Sequence, residues 1–473
     1  MKKISRCLLI NPPTGLYIRE DRCQSSVEDL PIIEMRPPMD ITSIAASLEK
    51  EKVICKIIDC PMEKVGWKEL KKEINIFQPD TLIISTTTST IERDLKACDL
   101  AKEIDKNILT VAKGTIFFQE DEQLLSSFKN LDIAIRGETN EVAEEIAKGF
   151  ELSRIKGITY REKNAIVRNA ARPLIENLDT LPFPARHLIK NELYIRMDNG
   201  NPQATIETGR GCPGQCIFCL SHQVSGYKQR QRSPDNIIKE IKECISRHNI
   251  KDFHFRTDTF SADKKWVIAL CEKIIKEKLN INWVCTSRVD AIDEEILSRM
   301  KKAGCWGISF GVESGNQQML DRMKKGIKIE QIKSTFNLCK KYKMDSFAYF
   351  IIGLPWETEE TVNESIKLAM EIDPSLVDFF IAYPFPGTEF YEIAVKEGLI
   401  KGKGFKREGA CGLPSINTLY LKKERLLALR KKALRKFYLR PGYVLKVLLR
   451  IRSPKELYNY FSKGWNALTI FFK

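Results

Sequence analysis

Short apolar runs, many of them β-branched, recur along the first 150 residues, and each is followed by a stretch whose apolar positions fall at three- and four-residue intervals. The runs Cys7–Ile10, Val53–Ile58, Thr81–Ser85, Ile108–Val111 and Ile133–Ile135 predict buried strands. The stretches Ile41–Glu51, Trp67–Phe77, Ile91–Asp105, Asp121–Lys129 and Asn140–Lys148 predict helices with one apolar face. Such alternation predicts an α/β fold with a doubly wound parallel sheet, and ligands of such sheets sit beyond the carboxyl ends of the strands. Those ends carry Asn11, Asp59, Ser85, Thr86, Thr87, Gly114, Thr115, Gly137 and Glu138, a rim of small and hydroxylic residues with Cys60 beside it. A Gly-x-Gly-x-x-Gly loop is missing from it, which argues against an ordinary dinucleotide site.

Residues 151–203 read as a hairpin (Gly157–Arg168) and a proline-bearing linker (Leu178–Pro184), the expected junction between domains. From residue 204 the alternation restarts, with strands near Ala204–Thr208, Phe253–Arg256, Trp283–Thr286, Gly307–Gly311, Phe347–Ile352 and Val377–Ala382. Six strand-helix units over 204–400 predict a partial (β/α) barrel, whose chemistry belongs on the loops after the strands. Residues 401–473 complete the chain as a basic helical region.

The net charge of +15 is local: Leu421–Lys473 holds 15 Lys and Arg against Glu424 and Glu456, and the preceding 420 residues carry only +2. Within this tail Leu426, Leu427, Leu429, Leu434 and Phe437 lie among cations, an amphipathic basic pattern. Three readings stand: a helix packed on the barrel with a solvated face, contact with a membrane surface or an amphiphilic substrate, and contact with RNA. No RNA-binding module follows the barrel, so nucleic acid is not the expected partner. The apolar stretch after Lys2 and Lys3 ends at Asn11-Pro12, short for a signal peptide, and no run approaches the roughly 18 apolar residues of a membrane span. A cytoplasmic setting with reduced thiols is expected, peripheral contact with a membrane surface through the tail aside.

The loop after the first barrel strand reads Cys212-Pro-Gly-Gln-Cys216-Ile-Phe-Cys219, and the next cysteine is Cys244. Three thiolates on one short loop can converge on a single inorganic centre. Structural zinc takes four closed ligands and an electron-transfer ferredoxin four thiolates per cluster, so a set of three leaves one position open. The other strand ends offer Asp258, Thr259, Arg288, Glu313 and Ser314.

With this C-x3-C-x2-C loop, the segments ISFGVESGNQQMLDRMKKG (308–326), FIIGLPWET (350–358) and YPFPGTEFY (383–391) resemble the radical S-adenosylmethionine (SAM) family. LLINPP (8–13), IIDCP (57–61), ISTTTSTIERDL (84–95) and IRGE (135–138) are similar to the cobalamin-binding domain that precedes the barrel in one subfamily. That subfamily includes carbon methyltransferases and the anaerobic magnesium-protoporphyrin monomethyl ester cyclase; FYLRPGY (437–443) resembles its tail. The resemblance implies a 4Fe-4S cluster on Cys212, Cys216 and Cys219, whose open iron chelates SAM, and reductive cleavage of SAM to a 5′-deoxyadenosyl radical. It implies SAM contacts from Glu313, Ser314, Arg288, Asp258 and Thr259, with Phe218 near the adenine. It also implies cobalamin on the N-terminal rim, an external electron donor such as a flavodoxin or ferredoxin, and a small-molecule or lipid-like substrate. The chain has four histidines, His187, His222, His248 and His254, so cobalt would receive no imidazole from the first 150 residues.

Competing readings stay open on the residues alone. Glu313 and Arg288 could form structural ion pairs, Phe218 could fill the barrel top, and His222 could touch SAM or substrate or be one more polar loop residue. Cys411 could donate hydrogen to a substrate radical or lie buried like most free cysteines, and Cys60 likewise. The N-terminal domain could bind nothing. For the whole chain, methylation of an unactivated carbon leads, an oxidative cyclisation or rearrangement of a porphyrin-like or lipid substrate follows, and a sensor that binds cluster and cobalamin without catalysis is the alternative of another class.

Overall fold

The computed structural model describes residues 3–20, 24–27, 35–196, 198–400, 412–449 and 451. The chain divides into two compact units: Met1–Ser26, Pro37–Leu193 and Leu220–Gly226 form the first, and Val27–Arg36, Tyr194–Cys219 and Tyr227–Lys473 the second.

In the first unit the apolar runs become β1 (Arg6–Asn11), β2 (Ile54–Asp59), β3 (Thr81–Ser85), β4 (Leu109–Lys113) and β5 (Ile133–Ile135), paired in parallel in the order β2-β1-β3-β4-β5. Side chains alternate across the pleat. Cys7, Leu9, Ile57, Ile83 and Val111 therefore join the helices Met39–Lys50 and Thr139–Ala147 in one core. Leu8, Ile10, Ile58, Leu82, Ile84 and Ala112 join Trp67–Phe77, Lys96–Ile104 and Phe117–Ser127 in the other.

Three expectations need correction here. The sheet is mixed rather than purely parallel, because the hairpin β6 (Ile158–Glu162) and β7 (Ala165–Arg168) joins it antiparallel through the pairs Ile133–Tyr160, Ala134–Thr159 and Ile135–Ile158. Burial of Ile158 and Tyr160 in the first core rewards that pairing. The helix expected over Ile91–Asp105 is divided into Ile91–Asp94 and Lys96–Ile104, and the helix expected from Asp121 begins at Phe117, whose ring is buried in the second core.

The second unit holds six parallel strands in sequential order: β8 (Gln203–Glu207), β11 (Asp252–Arg256), β12 (Asn282–Ser287), β13 (Cys305–Glu313), β14 (Asp345–Ile352) and β15 (Leu376–Ile381). A two-residue ladder of β9 (Gly209–Arg210) and β10 (Arg230–Gln231) brackets the cysteine loop. Helices between the strands bury Ile237, Leu270, Leu297, Phe336 and Val362 in one large core.

The basic tail packs. Leu426, Leu429, Ala433, Leu434 and Phe437 of the helix Lys423–Tyr438 are buried in this core. The tail also closes an edge: the Tyr438 hydroxyl accepts from Val377 N–H (3.1 Å) and donates to the Val377 carbonyl (2.6 Å), and Arg430 donates to the Phe379 carbonyl (2.7 Å). Open backbone groups of β15, an edge strand, are thereby met by side chains. This is the packed-helix reading for residues 425–437. Among the described residues no helix is long and apolar enough to cross a membrane.

Candidate functional site

The cysteine loop is held at both ends by backbone hydrogen bonds. At its start Gly211 has φ +91°, and its N–H donates to the Asp258 carboxylate after β11 (2.7 Å). Toward its end Ile217 is clamped on two sides: its N–H donates to the Met323 carbonyl (3.1 Å) and its carbonyl accepts from Phe390 N–H (2.9 Å). Ile217 is buried with Met319, Met323, Leu354 and Phe390, and Phe218 packs against the same group. Cys212 and Cys216 lie between these anchors and Cys219 lies two residues past the second; all three are half-buried.

Two of the thiols, Cys212 and Cys216, face a common place beside Gly214. A methyl group at Gly214 would lie 3.4 Å from Cys212 Sγ, 3.5 Å from Arg288 Nη1 and 4.0 Å from Cys216 Sγ. Among the described residues no three His, Cys, Asp or Glu side chains are placed to share a single metal ion. Ligands of a four-iron cube bind different irons and so stand further apart than ligands of one ion, and the donor set, three thiols on a pinned loop, fits that larger body. Thr259 Oγ1 lies 3.7 Å from Cys212 Sγ.

Charged groups converge on the loop through the turn 323–326. Arg288, after β12, is held by both oxygens of Asp290 (3.0 and 2.9 Å) and donates to the Lys325 carbonyl (2.8 Å). Lys325 Nζ lies 2.7 Å from Glu313 Oε1, and both side chains are buried. Glu313 ends β13 where the register against β14 shifts, and it adopts φ +65°. That left-handed conformation is costly for a residue with a Cβ and persists only where its surroundings enforce it. A side chain at Gly311 would run into both the Glu313 carboxylate and the Lys325 ammonium, so this glycine gives the pair its room. Burial pushes the Cys216 thiol up while Lys325 pulls against it. Burial opposes the charge on Lys325, but Glu313 and Cys216 outweigh it and hold the ammonium above its ordinary value.

Sequence reasoning singled out Glu313, Arg288 and Thr259, and the structure brings all three to the cysteine loop. It missed Lys325; the only signal was its place in the quoted MKKG segment (323–326). Ser314 is buried with its Oγ 3.3 Å from Ser365 Oγ, and it accepts from Asn316 N–H (3.1 Å). Cys411 lies outside the described residues.

The rim of the first unit is built differently. Asp94, fully buried, accepts from Thr14 (2.6 Å), Thr90 (2.5 Å), Thr87 N–H (3.2 Å) and Arg19 (3.1 Å), and Arg19 also donates to the Ser85 carbonyl (2.8 Å). Gln24 bridges Thr115 Oγ1 (2.5 Å) and Thr88 N–H (2.6 Å), and Thr86 donates to the Lys113 carbonyl (2.9 Å). A side chain at Gly114 would strike Thr86, whereas Gly137, at φ +125°, has open space where its side chain would be. Asn11 and Asp59 are buried at their strand ends, and Glu138 accepts from Ile175 N–H (2.6 Å). Burial and Asp59 together push the Cys60 thiol far up, which marks an inert core thiol. Of the histidines in this unit, His187 is exposed beside Glu49 (2.9 Å), and His222 lies on the short helix Ser221–Ser225. A buried hydroxyl and amide rim with open space at Gly137 fits a corrinoid held by its edges and not by an imidazole from the strand ends.

The profile of the Radical SAM superfamily matches residues 206–369, and that of the B12 binding domain matches residues 36–147. A protein of Pyrococcus horikoshii, described as the uncharacterized methyltransferase PH0819, is 31% identical over 448 residues, 94% of this chain and 95% of the relative. The anaerobic magnesium-protoporphyrin IX monomethyl ester cyclase of Rubrivivax gelatinosus is 28% identical over 71% of this chain and 62% of its own length. Among solved structures, the radical SAM methyltransferase TsrM of Kitasatospora setae with cobalamin and a [4Fe-4S] cluster bound aligns with a TM-score of 0.70 at 16% identity, over 98% of this chain and 99% of that one. The cobalamin-dependent SAM radical enzyme OxsB with aqua-cobalamin and SAM bound aligns with a TM-score of 0.73 at 17% identity, over 99% and 72%. At these identities the likeness is one of fold.

Proposed function

This chain belongs to the radical SAM superfamily and carries an N-terminal B12-binding domain, and from that premise we propose that it is a methyltransferase acting at an unactivated carbon of a small or lipid-like substrate. A 4Fe-4S cluster, SAM and cobalamin are its cofactors, and the chemistry they supply is reductive cleavage of SAM and carriage of a methyl group. The observation that carries the reading is the coexistence, in one chain, of a three-thiol loop ringed by Arg288, Lys325 and Glu313 with a B12-binding domain that has no imidazole at its strand ends. The similarity to a protein described as a methyltransferase supports it.

In this reading Cys212, Cys216 and Cys219 hold the cluster, and Asp258 and Met323 fix their loop by accepting its backbone N–H groups. Arg288 and Lys325 bring two cations to the loop and are suited to the carboxylate of SAM. Glu313 keeps Lys325 charged and oriented, with Thr259 beside Cys212 and Phe218 walling the loop toward its apolar side. The strand-end loops of the second sheet would gather as the mouth of a partial barrel and exclude water from the reacting groups. On the first unit, Ser85, Thr86, Thr87, Gly114, Thr115, Gly137 and Glu138, with Asn11 and Asp59, would line the corrinoid site. The reductant would be a flavodoxin or ferredoxin of the cytoplasm.

SAM labelled in its methyl group tests the proposal: label is expected in the product, and a product made without label would contradict it. The second reading, an oxidative cyclisation or rearrangement without methyl transfer, is favoured by the 28% identity to the cyclase and predicts that unlabelled product.

A further inference from the structure

The last described helix, Pro441–Leu448, has an outer face that the catalytic reading does not use. Its inner face is anchored: Tyr443 is buried, its hydroxyl donates to the Ser375 carbonyl (2.9 Å), and Val447 packs against the core. On the opposite side Val444, Leu445, Leu448 and Leu449 are 43%, 58%, 52% and 76% exposed, at the spacing that aligns side chains along one helix face. Leu439, just before the helix, is 44% exposed. These five lie within 11 consecutive residues; apart from Leu413, Leu419 and Tyr420, the exposed large apolar side chains elsewhere among the described residues, such as Ile54, Ile76, Phe150 and Ile275, are dispersed along the chain. A contiguous apolar stripe marks an interaction surface, and scattered single residues do not.

The charge around the stripe narrows what covers it. Between Glu424 and Glu456 the sequence holds no Asp or Glu. Arg435 and Lys436 are exposed in the last turn of the preceding helix. Arg440 and Lys446 both pair with the single carboxylate of Asp373, which leaves one positive charge uncompensated. An apolar stripe flanked by cations complements a surface with an apolar interior and an anionic face. An eight-residue helix is about 12 Å long, enough to lie in a bilayer interface and too short to span one.

We propose that the helix Pro441–Leu448 and the cations flanking it dock this protein on an anionic lipid bilayer. Val444, Leu445, Leu448 and Leu449 enter the acyl boundary, and the Lys and Arg side chains meet the headgroup phosphates. The helix Lys423–Tyr438, which carries seven of the tail's 15 cations, buries its apolar face in the protein core, so the lipid contact belongs to the shorter helix after it.

Flotation of the full-length protein with phosphatidylcholine vesicles, with and without about one-third phosphatidylserine, tests this without SAM or reductant, so its outcome is separable from that of the catalytic reading. Binding to the anionic vesicles is expected to exceed binding to the neutral ones by at least about tenfold and to weaken with added salt. The double variant Leu445→Glu, Leu448→Glu, altered only at exposed positions, is expected to lose at least about tenfold of that binding while keeping its iron content. Equal binding to both vesicles, undiminished binding of the variant, or no binding by the wild type would each overturn the proposal. So would a wild-type dimer that the variant dissociates, since a second copy of the chain would then be the occupant of the stripe.

Discussion

The two units present strand-end loops of opposite character. In the second unit a glycine-bearing loop is pinned from outside, by Asp258 at one end and by Met323 and Phe390 at the other, and unlike charges are buried beside it. In the first unit the rim satisfies itself, with Asp94, Arg19 and a set of threonines and Gln24 exchanging hydrogen bonds among neighbouring strand ends. An inorganic cluster is bound through covalent donors at fixed points, so its protein must hold particular sulfur atoms. A corrinoid without an imidazole from the rim is bound through shape and peripheral hydrogen bonds, so its protein must hold a surface. The first requirement concentrates the signal in eight residues; the second spreads it over nine positions on five strand ends.

The sharpest way to break this contrast is Cys216→Ala. Iron content is expected to fall from about four per chain to near zero, while corrinoid retained by the anaerobically purified protein is unchanged. Loss of both together would mean that the units do not bind independently. Lys325→Met leaves the Glu313 carboxylate buried without its partner and should destabilise the protein by about 4 kcal/mol in urea unfolding. Pairing it with Glu313→Gln should recover most of that, because an uncharged buried pair carries a smaller desolvation penalty.

Glu357, on the loop after β14, gives a prediction in pH. Burial raises its carboxyl to about 7, with Thr361 and the Gly353 N–H opposing the rise. A carboxyl whose folded value lies above its unfolded one contributes stability that is full at pH below the unfolded value, near 4.5, and lost as pH rises through the folded value, about 7. Wild-type stability should therefore fall by about 3 kcal/mol between those limits from this group, and Glu357→Gln should remove that slope. Denaturant midpoints measured on both sides of the window check it. The smallest expected effect is that of Asp94→Asn, about 2 kcal/mol, together with weaker corrinoid retention and unchanged iron content, since it loosens only the first rim.

Much of this is legible in the sequence. The five N-terminal strands and the six of the second sheet lie within a few residues of their expected places, because runs such as Leu8–Ile10 and Leu82–Ile84 are buried on both faces of a sheet and leave few alternatives. The hairpin's membership of the first sheet was not legible, since which edge a strand joins depends on a partner far away in sequence. Lys325 was invisible for a similar reason: a lysine in MKKG reads as solvated, and its burial follows from the bulge at Glu313 and the missing side chain of Gly311. Asp258 and Ser314 show the converse. Each is expected at SAM, and each also accepts a backbone hydrogen bond that shapes a loop, Asp258 from Gly211 of the cysteine loop and Ser314 from Asn316 of its own. Polar residues at strand ends serve backbone groups as readily as ligands, and spacing alone does not separate the two.

The three-thiol loop is expected to assemble a cluster that reductively cleaves SAM. Its most direct test is the anaerobic incubation of the reconstituted protein with SAM and a low-potential reductant, followed by quantification of 5′-deoxyadenosine. 5′-Deoxyadenosine is expected from the wild type, and none above background from Cys212→Ala, Cys216→Ala or Cys219→Ala. Formation at the wild-type rate by any of these variants, or none from a wild type with its full complement of iron, would contradict it.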